Sequence, residues 1–139
     1  MPILRFFGNI LWFIFGGFTA LIWVLGGALL CITIVGIPFG LQAFKIARMA
    51  LFPFGIETEV SDRALGCPGI FFNVLWAVVI GWELMIAHLI SALILAAFIV
   101  TIPFALQHLK LAKLAIWPFG QEIRPIRDAD LMAEVMSGR

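Results

Sequence analysis

At 139 residues, with 63% apolar and only 12% charged side chains, the chain is too greasy for a small soluble domain, which carries about 25% charged residues and keeps much of its surface in water. A net charge of +1, without any basic cluster interleaved with aromatics, excludes a nucleic-acid partner. Two cysteines, Cys31 in an apolar run and Cys67 in a Gly-Cys-Pro-Gly turn, form neither a disulfide scaffold nor a metal-ligand spacing.

The first element is a stretch of 39 residues between Arg5 and Lys45 that holds no charge. One spanning helix needs about 20 apolar residues, so the stretch is roughly twice the minimum. It is also far longer than the core of about 7–15 residues in a cleaved leader, and the N-terminus is expected to be mature. Gly8, Gly16, Gly17, Gly26 and Gly27 suit close packing between lipid-embedded helices. A turn is expected near Gly26-Gly27. Gly36-Ile37-Pro38 reads as a helix start, or as a kink, because proline fits the first turn where its missing N–H costs nothing. Pro53 and Gly55 read as the stop, giving a helix near 38–52. Ile56 to Val60 alternates polar and apolar residues, the pattern of a short strand.

The chain then repeats itself. Residues 30–57 match 95–122 at 15 of 28 positions, including Ile-Pro-Phe at 37–39 and 102–104 and Pro-Phe-Gly at 53–55 and 118–120. Upstream the offset changes from 65 to 64: Asn9, Leu11, Trp12 and Gly17 match Asn73, Leu75, Trp76 and Gly81. The second apolar stretch, 46 residues between Arg63 and Lys110, holds one formal charge, Glu83. Its turn is expected between His88 and Leu93, its second helix near 103–117, and its strand over Gln121 to Ile126. The two strands are expected to pair across the copies. The tail from Arg127 onward reads as a short cytoplasmic helix with a frayed end.

Each copy could cross the bilayer once or twice. With one crossing, three Lys/Arg fall on one side and six on the other. With two, all nine (Arg5, Lys45, Arg48, Arg63, Lys110, Lys113, Arg124, Arg127 and Arg139) share a side. The bias of cations toward the cytoplasm favours the second parse. The expected fold is therefore an all-α integral membrane protein of two tandem helical-hairpin repeats, with four membrane-crossing helices, short β segments and cytoplasmic termini. Repeat one takes 5–57, a polar connection 58–68, repeat two 69–122 and the tail 123–139.

No nucleophile–base–acid set, phosphate loop or cofactor motif occurs, so an enzyme reading has no support. The candidate functional residues are polar ones in apolar surroundings. Gln42, Lys45 and Arg48, and their equivalents Gln107, Lys110 and Lys113, are spaced by three and form one helical stripe. Either the cations snorkel to the headgroups, or they line a vestibule or contact anionic lipid. Glu83 needs a partner, a proton or water, since a carboxylate at a helix centre costs roughly 2.5–3.5 kcal/mol on insertion scales; its equivalent is Thr19. His88, about 140° around the helix from Glu83, is expected at the outer boundary. Asn9 and Asn73 are expected to bond across helices, with a pore-lining role as the alternative.

The run Ile34-Val35-Gly36-Ile37-Pro38-Phe39 through Pro53-Phe54-Gly55, with its twin at 99–120, resembles the YccF-type inner-membrane component domain, in two tandem copies over residues 5–122. Thr101 and Ala105 depart from the Gly36 and Gly40 of copy one. The resemblance implies a multi-pass protein of the bacterial inner membrane with two spans per copy, and it supplies no catalytic residues. The functional expectation is a homo-oligomeric channel or transporter for a small ion or solute, its stripes ringing the cytoplasmic mouth. The alternative is a structural or accessory subunit of a larger membrane complex, or a scaffold that binds anionic lipid. The lipid bilayer is the expected partner in every case, and no cofactor is expected.

Overall fold

Each long apolar stretch opens as one long helix and then reverses into a second, because apolar side chains in succession leave the backbone no polar partner but itself. The computed structural model describes residues 2–61 and 66–127, with Met132 and Met136 of the tail. In the first copy, α1 (Pro2–Trp12) leads through a five-residue π-helical turn, Phe13–Gly17, into α2 (Thr19–Leu30). In the second, α4 (Cys67–Trp76) leads through the same kind of turn, Ala77–Gly81, into α5 (Trp82–Ala96). Glycine is required where these turns meet an indole: a Cβ on Gly16 would lie 2.6 Å from the Trp12 ring, and one on Gly81 2.9 Å from Trp76.

The chain then reverses into α3 (Ile37–Leu51) and α6 (Ile102–Ile116), each with proline in its first turn. α2 packs on α3, and α5 on α6, as two helical hairpins. The helix expected near 38–52 and its twin near 103–117 lie where the proline and glycine signals put them. The reversals do not. They fall between Leu30 and Ile37 and between Ala96 and Ile102, whereas Gly26-Gly27 and His88 to Leu93 are helical. Gly27 serves packing: a Cβ there would meet the Phe44 ring at 3.0 Å and the Gly40 carbonyl at 3.1 Å. The Thr33 hydroxyl accepts from the Gly36 N–H at 3.0 Å, and the Thr101 hydroxyl donates to the Phe98 carbonyl at 2.9 Å. Threonine thus holds each reversal, a few residues beyond the Gly26-Gly27 and His88 to Leu93 positions expected for them.

Gly55 and Gly120, at φ +92° and +79°, end the short helices and deliver the chain into β1 (Ile56–Val60) and β2 (Gln121–Pro125). The strands pair antiparallel, Ile56 opposite Pro125 and Val60 opposite Gln121, as expected. Thr58 faces Ile123 at the centre; these two residues are 65 apart, the offset of the repeat. The two hairpins are therefore related by a pseudo-twofold axis through the sheet. Both α3 and α6 lead into the sheet, but the start of each meets the end of the other: Phe39 lies 5.6 Å from Phe119 and Phe104 5.6 Å from Phe54, so the two helices do not run side by side in parallel. The Asn9 side chain donates to the Phe54 carbonyl and that of Asn73 to the Phe119 carbonyl, so each long helix lies beside the loop that enters its own strand. Two helices are long and apolar enough to cross a bilayer among the described residues, Cys67–Ala96 and Ile99–Ile116; Thr19–Leu30 is apolar but shorter. Most of the tail helix expected after Arg127 lies outside the described residues.

Candidate functional site at the repeat interface

Four of the polar residues singled out by the sequence, Asn9, Asn73, Lys45 and Lys110, reach the backbone beside the sheet, and the repeat dictates how. Trp12 and Trp76 are buried where the π turns widen each long helix. Their indole N–H groups donate to the Ala50 carbonyl at 2.6 Å and the Ala115 carbonyl at 2.7 Å. These are carbonyls near the ends of α3 and α6, which no helical N–H can reach. Asn9 and Asn73 each make two bonds to the backbone of one residue. Their amides donate to the Phe54 and Phe119 carbonyls at 3.1 and 2.9 Å, and accept from the N–H groups of the same residues at 3.0 and 2.9 Å. Both asparagines tie the long helix of a copy to the loop before its own strand.

Other contacts pass between copies and hold them together. Phe39 of copy one stacks on Trp76 of copy two, rings 6.2 Å apart and 5° from parallel. Its equivalent, Phe104, stacks on Trp12 at 6.5 Å and 18°. The Lys45 ammonium donates to the Gln42 side chain, to the Pro118 carbonyl and, at 2.9 Å, to the Gln121 carbonyl. Lys110 reaches the Ile56 carbonyl at 3.4 Å. Gln121 and Ile56 are themselves equivalent, so each lysine reaches the first strand residue of the other copy. Arg5 donates to the Ile126 carbonyl at 2.8 Å. Across the sheet, Glu59 and Glu122 stand opposite each other, and Arg124 lies 2.8 Å from the first and 3.9 Å from the second.

The six-residue polar stripe is thus divided. Gln42, Lys45, Gln107 and Lys110 turn inward, whereas Arg48 and Lys113 are exposed. The Gln107 amide donates to the Pro103 carbonyl at 3.3 Å and its buried oxygen has no partner among the described residues. Glu83 is exposed on the outer surface of α5.

His88, expected at a boundary, is buried, with Nδ1 3.0 Å from Nδ1 of His108. His108 also lies against Trp12, rings 4.8 Å apart. The place was hidden by the shift in offset. In copy one the equivalent space holds Trp23, stacked on Trp76 at 6.3 Å, and Ala43. One large and one small side chain there match two imidazoles here. Among the described residues no group of three or more His, Cys, Asp or Glu could hold a metal ion.

A duplicated helical hairpin whose outer surface is largely apolar defines a mostly helical membrane protein of pseudo-twofold build. The chain belongs to the YccF inner membrane component domain family, whose profile matches it twice, over residues 7–56 and 71–121. It is 28% identical over 140 residues to the inner membrane protein YccF of Escherichia coli K12, across 94% of this chain and 95% of that protein. The protein of that name from Shigella flexneri matches to the same extent. No solved structure matches. The protein is a component of the bacterial inner membrane.

Proposed function

We propose that the protein is a structural component of the inner membrane, a rigid unit of four embedded helical arms that assembles with itself, rather than a conduit for ions. The arms insert from the cytoplasmic side, the side that the bias of cations favours, and leave the sheet and both termini there. The observation that carries this reading is the engagement of Lys45 and Lys110. A channel would need these ammonium groups free to meet a solute, and here they bond the strand of the opposite copy. The space between copies is filled by Trp12, Phe104, Trp76 and Phe39.

Purified protein in vesicles is expected to pass ions no faster than empty vesicles. Lys45→Met is expected to lower stability by about 2–3 kcal/mol, since bonds to charged groups contribute about 1.5–3 kcal/mol. Lys110→Met, with one longer contact, should cost less. Ion flux that disappears in Lys45→Met, at unchanged melting temperature, would replace the structural reading with the channel.

A further inference from the structure

We propose that the two hairpin tips, residues 31–36 and 97–101, end among the acyl chains of the bilayer, so that each hairpin enters the membrane and returns without crossing it. This rests on the embedding proposed above and deepens it: the sheet stays in water, and the tips take lipid hydrocarbon as their partner.

The tips are exposed and apolar. Ile34 and Val35 are 88% and 79% exposed, and their equivalents Ile99 and Val100 are both 85% exposed. No Asp, Glu, Lys or Arg lies between Arg5 and Lys45, or between Glu83 and Lys110. Neither tip has a Trp, the side chain that marks a membrane–water boundary. The polar groups of the tips turn back on the chain. The Thr33 hydroxyl accepts from the Gly36 N–H at 3.0 Å and donates to the Leu30 carbonyl at 3.2 Å. The Thr101 hydroxyl donates to the Phe98 carbonyl at 2.9 Å. The N–H groups of Cys31, Ile32, Thr33 and Gly36, and of Ala97, Phe98 and Thr101, bond carbonyls of the turn or of the helix before it. Backbone in hydrocarbon has to bond within the chain, whereas a turn in water has the solvent as partner.

The depth agrees. The return helices α3 and α6, not the longer helices beside them, set the distance from sheet to tip. Arg48 and Lys113 are exposed on those helices, and an exposed cation on an embedded helix is held at headgroup level. Each stands about 20 Å along the chain from its tip residue, Ile34 or Ile99, at 1.5 Å per residue. Glu83, exposed on α5, is also about 20 Å from the end of that helix at Ala96. A hydrocarbon core is about 30 Å thick, so charges at the near headgroups leave both tips short of the far side. The lean of the hairpins shortens the reach further. Phe39 meets Phe119 and Phe104 meets Phe54 across the copies, yet both helices deliver the chain into one sheet that exposes Glu59, Glu122 and Arg124. With that sheet in water, α3 and α6 cannot both stand along the membrane normal. Glu83 then lies at the boundary, where a carboxylate keeps its water.

The test places a nitroxide at each tip. With Cys31 and Cys67 replaced by serine, Val35→Cys and Val100→Cys carry the label in vesicles of phosphatidylethanolamine and phosphatidylglycerol, and Val60→Cys on the sheet is the aqueous reference. All three substitutions fall on exposed side chains. Oxygen concentrates in hydrocarbon and a nickel chelate in water. Collisions with oxygen are expected to exceed those with the chelate several-fold at both tips, and the order to reverse at Val60. In native membranes, an impermeant maleimide is expected to label neither tip in spheroplasts or in inside-out vesicles, and both after SDS. Chelate collisions at a tip equal to those at Val60, or labelling of a tip in either preparation, would overturn the proposal. Failure of the embedding itself reads differently, because Val60→Cys would then label in spheroplasts.

Discussion

Replacing Trp76 by alanine is expected to destabilise the protein by about 3–5 kcal/mol, the range for emptying a packed indole site. Three contacts disappear at once. The ring stacks on Phe39 of the other copy and on Trp23, and it meets Phe119 edge to face. Its N–H also satisfies the Ala115 carbonyl near the end of α6. Because lipid is the alternative solvent, the loss comes from packing and the orphaned carbonyl more than from exclusion of water. Trp76→Phe keeps most of the packing and removes the donor, so it should cost about 1–3 kcal/mol. Thermal unfolding in mild detergent, read as loss of the folded species by size exclusion, separates the cases. Trp76→Ala melting with the parent would show that this interface does not hold the copies together.

The second large effect is expected at Gly40. A Cβ there would lie 2.3 Å from the Cys31 sulfur and 2.6 Å from the Gly27 carbonyl oxygen. The cysteine can turn away, but the carbonyl belongs to the backbone of α2, so the helices themselves must separate. Gly40→Ala should cost about 1–3 kcal/mol as an overpacking change, and Gly40→Leu should open the first hairpin. The second hairpin has Ala92 and Ala105 at the equivalent places, both buried. Its helices accommodate methyl groups, and Ala105→Gly should cost only about 1 kcal/mol, the intrinsic helix penalty of glycine. The check is the same unfolding measurement on Gly40→Ala, with Cys31→Ala added. Parental stability in Gly40→Ala alone would contradict the close approach; rescue by Cys31→Ala would place the conflict at the sulfur instead of the backbone.

Much of this architecture can be read from residues whose backbone role is local. Pro38 and Pro103 start helices, Gly55 and Gly120 end them, and alternation marks the two strands. Those signals depend on φ and on missing N–H groups, not on tertiary contacts, and they recur at a constant offset. The first turn was misplaced because glycine has two uses in an apolar chain, reversal and close packing, and sequence alone does not separate them; the second, expected between His88 and Leu93, had no glycine to mark it. Gly27 is used for packing against α3, while Thr33 and Thr101 hold the reversals.

The interior bonds were less legible. Lys45 looks like a surface cation in a helical stripe, and only pairing of the copies shows that it reaches the Gln121 carbonyl. The match of Trp23 and Ala43 with His88 and His108 was concealed by one residue of slippage between Gly17 and Trp23. A second alignment at offset 65 upstream would have exposed it. Glu83 stood out because it is a lone acid in an apolar run, but its distance from the hairpin tip follows only once the reversal is located.

The central claim is that both hairpins enter the membrane from the same side. Single cysteines at Val60 and at Glu122, in a background with Cys31 and Cys67 replaced by serine, test it when treated with a membrane-impermeant maleimide. Both positions lie on the sheet. The account predicts that both label in inside-out vesicles and neither labels in spheroplasts. Labelling of the two from opposite faces would contradict it.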